Sequence, residues 1–151
     1  MNQFQSLEEL SARVGQPVGC SDWVQITQEQ VDLFAAATGD QQWIHVDPER
    51  ARTGPFGGTI AHGFLTLALL PRFLEQAVGS VHAGMGVNYG LNRVRFTAPV
   101  PVGSRLRAHF KLLKSEDLNG SAMQLIWAIS IELEGSEKPV CLAESLVRYY
   151  R

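Results

Sequence analysis

The chain has 151 residues, 45% hydrophobic and 19% charged, which suits one domain with its own core and argues against disorder. A formal charge of −2 offers no basic surplus to grip a nucleic-acid backbone, so nucleic acid is not expected as a partner. The two cysteines, Cys20 and Cys141, have neither metal-site spacing nor disulfide-scaffold density, and are expected as core fillers in a reducing compartment.

The opening residues 1–15 contain Glu8 and Glu9 without a continuous apolar run, so no signal peptide is expected. Residues 6–14 suit a short helix, and residues 20–26 have weak strand character. Thr27 with Gln30 three residues on forms a capping-box pattern. Val31, Phe34, Ala35 and Thr38 then recur at helical spacing as far as a stop at Gly39. Asp47 before Pro48 predicts a second N-cap and a short helix towards Thr53.

A Gly-rich loop at residues 54–58 leads into residues 62–78, apolar nearly all round over the first two turns, as a helix buried on every side would be. Pro71 predicts a kink or break near residues 67–70. Its most apolar window, residues 64–70, is far too short to span a membrane, and a cytoplasmic protein is expected.

The second half reads as strands. Residues 105–112 set Leu106, Ala108, Phe110 and Leu112 on one face, with Arg105, Arg107, His109 and Lys111 as a solvated opposite face. Residues 123–133 put Met123, Leu125, Trp127, Ile129, Ile131 and Leu133 on one face, and Asn119-Gly120 marks the hairpin between the two strands. Residues 140–150 make a last strand. Val87, Tyr89 and Leu91 begin another, while Val94 and Phe96 fall on the opposite parity, which predicts a bulge near Asn92-Arg93. One buried helix and about four antiparallel strands imply an α+β fold, an antiparallel sheet curled around a central helix.

The chemistry-bearing stretch runs from Phe34 through Gly39-Asp40 to Ile44-His45-Val46-Asp47. A second segment is Gly57-Gly58-Thr59-Ile60-Ala61-His62-Gly63-Phe64, and a third is Arg95-Phe96 before Pro99-Val100 and Gly103. In this order and spacing the segments resemble the MaoC-type dehydratases and their (R)-specific enoyl-CoA hydratases. The resemblance implies a hot-dog fold, one domain over residues 1–151 with its core at about 18–149, and a homodimer. It also implies hydration of trans-2-enoyl-CoA by Asp40 and His45, with Ile60, Ala61, His62 and Gly63 binding the substrate and its oxyanion. Two positions depart from the family. Gln42-Trp43 replaces an Asn-Pro, and Ala68 stands where some hydratases place a serine.

The residue types suit that chemistry. Water adding to Cβ must lose a proton, Cα must gain one, and the thioester oxygen must be held as charge builds on it. A carboxylate and an imidazole five residues apart around a turn can grip one water from two sides. Gly63, at the start of the buried helix, offers its N–H to the oxygen and no Cβ to obstruct the thioester. Plainer readings exist for the same residues. Asp40 is also a helix-ending turn residue, and His45 a packed histidine with one structural hydrogen bond. His62 suits orienting the loop that carries Gly63, and Asp47 suits capping better than joining His45 and His62 around a metal. No metal or other cofactor is expected; the CoA thioester is the substrate. The basic strand face is simplest as solvated surface, with CoA phosphates as the alternative occupant. Trp23, Trp43 and Trp127 are core or interface candidates. An acyl-CoA thioesterase, an acyl-carrier-protein dehydratase and a non-catalytic acyl-thioester binder stay open as alternatives. The thioesterase would want an acid on the central helix, where Leu65, Thr66, Leu67 and Ala68 offer none.

Overall fold

The period-2 alternation of the second half builds the centre of the sheet. In this computed structural model, which describes residues 4–151, β4 (Arg105–Leu118) and β5 (Ala122–Leu133) pair antiparallel through the expected turn. Asn119 and Gly120 both take positive φ there, 56° and 74°, which asparagine and glycine tolerate. β6 (Pro139–Tyr150) pairs with the far side of β5, and β3 (Met85–Phe96) pairs with β6 at the end of the sheet. Two short strands from the first half, β1 (Pro17–Cys20) and β2 (Val24–Gln25), complete the other end against β4. The sheet therefore has six strands, in the order β1-β4-β5-β6-β3 with β2 beside β4, rather than about four. The weak strand expected over residues 20–26 is displaced towards Pro17 and broken between Cys20 and Val24.

Helices cover one face of this sheet. α1 (Leu7–Ser11) is capped by Ser6, and α2 (Gln28–Thr38) starts with the Thr27–Gln30 capping box and ends on Gly39 at φ 82°. α3 (Trp43–Val46) is a single turn in what the sequence presents as a loop, and α4 (Pro48–Arg52) is capped by Asp47. The long apolar segment divides as Pro71 requires, into α5 (Gly63–Ala68) and α6 (Leu70–Val78) joined at Leu69. α6 crosses β1 so closely that a Cβ on Gly19 would lie 2.2 Å from the Ala77 carbonyl oxygen. The core between the layers holds Phe73, Leu106, Leu112, Leu125, Trp127 and Ile131, all fully buried.

Three expectations fail for identifiable reasons. α5 is not buried on all sides: Phe64, edge-on to Phe96, is 68% exposed, and Ala68 is exposed with it where it borders an open cavity facing β3. Cys20 is exposed at the edge strand β1, while Cys141 is buried and its thiol is pushed up to about 11 by desolvation. The outer face of β4 is not simply solvated. Arg107 makes a bidentate pair with Glu132 (2.7 and 3.2 Å), His109 joins the same carboxylate at 2.7 Å, and the Arg107 guanidinium lies over Trp23. β3 carries the expected irregularity at Asn92 and a second one at Tyr89.

Candidate active site

The site forms where two turns meet the start of the central helix. Gly39 ends α2 and releases the chain into a turn in which Asp40 Oδ1 accepts from the Gln42 N–H at 3.5 Å. α3 then carries His45 inward, to 6% exposure. A backbone bond from the Ile60 N–H to the Ile44 carbonyl (3.0 Å) ties that turn to the segment preceding α5. The tie continues outward, for the Ala61 N–H bonds the Val100 carbonyl and the Val102 N–H bonds the Thr59 carbonyl. Gln28, the first residue of α2, locks the same junction. Its amide donates to the His45 carbonyl at 2.7 Å, and its oxygen accepts from Thr59.

Hydrogen bonding fixes the protons on both imidazoles. His45 Nδ1 lies 2.7 Å from the Ile60 carbonyl, and a carbonyl only accepts, so Nδ1 carries a proton, and in the neutral ring Nε2 is the nitrogen that keeps its lone pair. His62 is 2% exposed; its Nε2 donates to the Asp40 carbonyl at 2.9 Å, and its Nδ1 has no hydrogen-bond partner among the described residues. The two rings stack, with centroids 3.9 Å apart and planes inclined by 25°, and Phe34 closes the stack at 4.9 Å from His62. His62 therefore holds the Asp40 turn through its side chain while its backbone caps α5.

Donor atoms of Asp40, His45 and His62 lie within 4.8 Å of one another. Such a triad invites comparison with a metal site, but one nitrogen of each imidazole is already engaged by a backbone carbonyl, His45 Nδ1 by that of Ile60 and His62 Nε2 by that of Asp40. As arranged, the cluster suits one water held between a carboxylate and an imidazole. Asp47 stands apart as the cap of α4, accepting from the Arg50 N–H at 3.1 Å.

His45, Ile60, Ala61, Gly63, Thr66 and Phe96 line a cavity of about 410 Å³. Three of the four residues expected to bind substrate are thus on its wall, and His62 lies behind them. The role expected for the missing Cβ of Gly63 is corrected. The Phe96 ring fills that space, 2.9 Å from where a Cβ would be, so glycine here admits an aromatic neighbour. A second cavity of about 370 Å³ opens at the break between α5 and α6, among Leu67, Leu70, Leu74, Tyr89, Leu91 and Phe110. α5 contributes to both: Gly63 and Thr66 to the first, Leu67 and Ala68 to the second. A larger groove of about 890 Å³ runs over β1 and the outer sheet and contains none of these site residues.

Trp43, where the chain departs from the family pattern, packs outward. Arg50 lies 4.3 Å over its ring, and Gly54 sits against the ring so tightly that a Cβ would come within 2.9 Å. Sequence reasoning missed Gln28 and Thr66. Gln28 acts over 17 and 31 residues, and no local pattern signals that.

Comparison with known proteins gives a consistent result. The family described as the MaoC like domain matches residues 9–125. The chain is 59% identical over 149 residues to the 3-hydroxyacyl-thioester dehydratase Z of Mycobacterium tuberculosis, covering 99% of each chain. Among solved structures it resembles the unliganded (R)-hydratase of Pseudomonas aeruginosa, with a TM-score of 0.69, 26% identity, and coverage of 91% and 82% of the two chains. The MaoC-like dehydratase of Rhodospirillum rubrum superposes over 98% of both chains with a TM-score of 0.76 and 22% identity.

Proposed function

Because the chain belongs to the MaoC-like domain family and has its hot-dog fold, we propose that it reversibly adds water to a trans-2-enoyl thioester, giving the (R)-3-hydroxyacyl thioester. The observation that carries the mechanism is the fixed tautomer of His45. With Nδ1–H held by the Ile60 carbonyl, Nε2 is the basic nitrogen of the neutral ring, and the donor atoms of His45 and Asp40 lie within 4.8 Å of each other, a separation one water can bridge. His45 Nε2 takes the proton as the water oxygen bonds to Cβ, and the dyad returns a proton to Cα. Charge building on the thioester oxygen is met by the N–H of Gly63, which opens α5, where helix geometry leaves donors free. Ile60 and Ala61 shape the wall beside it, and His62 anchors the Asp40 turn.

The CoA-type thioester is the substrate in this scheme, and no metal or redox cofactor takes part. The apolar cavity at the α5–α6 break is the natural place for the acyl chain. α5 carries no acid, which disfavours the thioesterase alternative, and the outward packing of Trp43 removes the reason to call this a non-catalytic binder. None of the helices among the described residues is long and apolar enough to cross a membrane.

The test is a spectrophotometric assay of the purified protein on crotonyl-CoA. Loss of the conjugated enoyl absorbance without release of free thiol is the expected result. Thiol release would make the protein a thioesterase, and neither change would make it a binder.

A further inference from the structure

The other threonine hydroxyls around this site have partners within the fold. Thr59 donates to Gln28 at 2.7 Å, and Thr97 donates to the Pro139 carbonyl at 2.5 Å. Hydroxyls on helices take the carbonyl four residues back, Ser11 bonding Leu7 at 2.8 Å and Thr38 bonding Phe34 at 2.7 Å. Thr66 does neither. It is 2% exposed, and its Oγ1 has no hydrogen-bond partner among the described residues. The carbonyl four residues back, that of His62, already accepts from the N–H groups of Leu65 and Thr66, at 3.0 and 3.2 Å. A buried hydroxyl left unpaired is destabilising and calls for a partner.

Its position says what that partner is. Thr66 lines the same cavity as His45 and Gly63. The wall is otherwise carbon, from Phe56, Ile60, Ala61 and Phe96 among others; besides His45, its polar side chains are Thr66 and the already engaged Thr97. Helical side chains lean towards the helix N-terminus, so Thr66 leans over the turn that begins at Gly63. A substrate thioester brings a carbonyl oxygen that only accepts, and a hydroxyl can donate to it.

We propose that Thr66 is a substrate-binding residue whose hydroxyl donates a hydrogen bond to the carbonyl oxygen of the bound acyl thioester, beside the Gly63 N–H. The proposal rests on the hydro-lyase reading above and deepens it. Charge accumulating on that oxygen strengthens the bond in the transition state, so Thr66 contributes to turnover as well as to binding.

Thr66→Val keeps the shape and removes the hydroxyl, and Thr66→Ser keeps the hydroxyl. Three quantities decide the matter: kcat/KM for enoyl and 3-hydroxyacyl thioesters, the Kd of the unreactive butyryl-CoA, and the thermal midpoint. Thr66→Val should lower kcat/KM by about ten-fold in both directions and weaken butyryl-CoA binding several-fold, the size of one lost hydrogen bond. Its thermal midpoint should hold or rise, because an unpaired buried group has gone, and Thr66→Ser should stay close to wild type. Wild-type kcat/KM in Thr66→Val would overturn the proposal. So would a loss confined to the 3-hydroxyacyl substrate, which would move the contact to the C3 oxygen. Parallel losses of stability and activity in both variants would make Thr66 a packing residue. Absence of turnover in the wild type would sink the hydro-lyase reading instead. The butyryl-CoA affinities would then decide alone, equal Kd values in wild type and Thr66→Val ruling out the contact.

Discussion

β5 and β3 are both twelve-residue strands, yet they lead opposite lives. β5 lies between β4 and β6 with the helical layer on one face, so that Leu125, Trp127 and Ile131 are fully buried. β3 pairs with β6 alone, and of its residues only Val94 is even half-buried; Met85, Val87, Tyr89 and Leu91 stay uncovered. Alternation therefore states that a strand has an apolar face, and only its neighbours determine whether that face is covered. An open strand edge bearing apolar side chains is a surface to be paired or shielded. We propose that the homodimer the resemblance implies is joined at this strand.

The sharpest break of the comparison lies in the core. Trp127→Ala should destabilise the protein by about 4 kcal/mol in chemical denaturation, since the indole is fully buried and stands edge-on to Phe110. Trp127→Phe should lose far less, because the indole N–H has no hydrogen-bond partner among the described residues. On β3 the expectation reverses. Leu91→Asp should leave the protomer folded while shifting the mass seen by light scattering from a dimer to the 16.6 kDa species. A wild-type protein of 16.6 kDa at micromolar concentration would remove the dimer.

Two smaller effects sharpen the picture at the periphery. Trp43 is half-buried between Arg50 and Gly54, so Trp43→Ala should lower stability by about 1.5 kcal/mol, less than a core aromatic, without changing chain-length preference. A stable variant with altered chain-length preference would place the indole in the acyl cavity. Smallest is the ion cluster on the outer sheet. Arg107, and then His109, hold the Glu132 carboxyl below the usual carboxylate range. A depressed folded pKa stabilises fully above the unfolded value, about 4.3, and is lost as pH falls through the folded one. Glu132→Gln should accordingly flatten the acid-side loss of stability, read as the thermal midpoint against pH.

The β4–β5 hairpin is legible in the sequence, because both strands alternate and Asn119-Gly120 accepts the positive φ of the turn, although β4 runs past the expected residues 105–112 to Leu118 with an irregularity at Leu113. Helix ends are equally legible at Thr27, Gly39 and Asp47, where capping is local chemistry. The candidate pair Asp40 and His45, like Ile60, Ala61 and Gly63 on the cavity wall, was drawn from the family resemblance of their segments and not from spacing alone. Contacts across long separations were not. The bond from His62 to the Asp40 carbonyl spans 22 residues, and Phe96 reaches Gly63 of α5 from the end of β3. The exposure of Cys20 belongs to the same class, since it depends on β1 being an end strand of the sheet.

The most direct test of the account is a comparison of Asp40→Asn, His45→Gln and the double variant on crotonyl-CoA, with the thermal midpoint of each as a check on folding. If both residues act on one water, each single variant should lose about 10²–10⁴ in kcat with the fold intact. The double variant should then be no worse than the poorer single, because groups that act as a unit do not contribute additively. A single variant with near-normal turnover, or losses that multiply in the double, would contradict it.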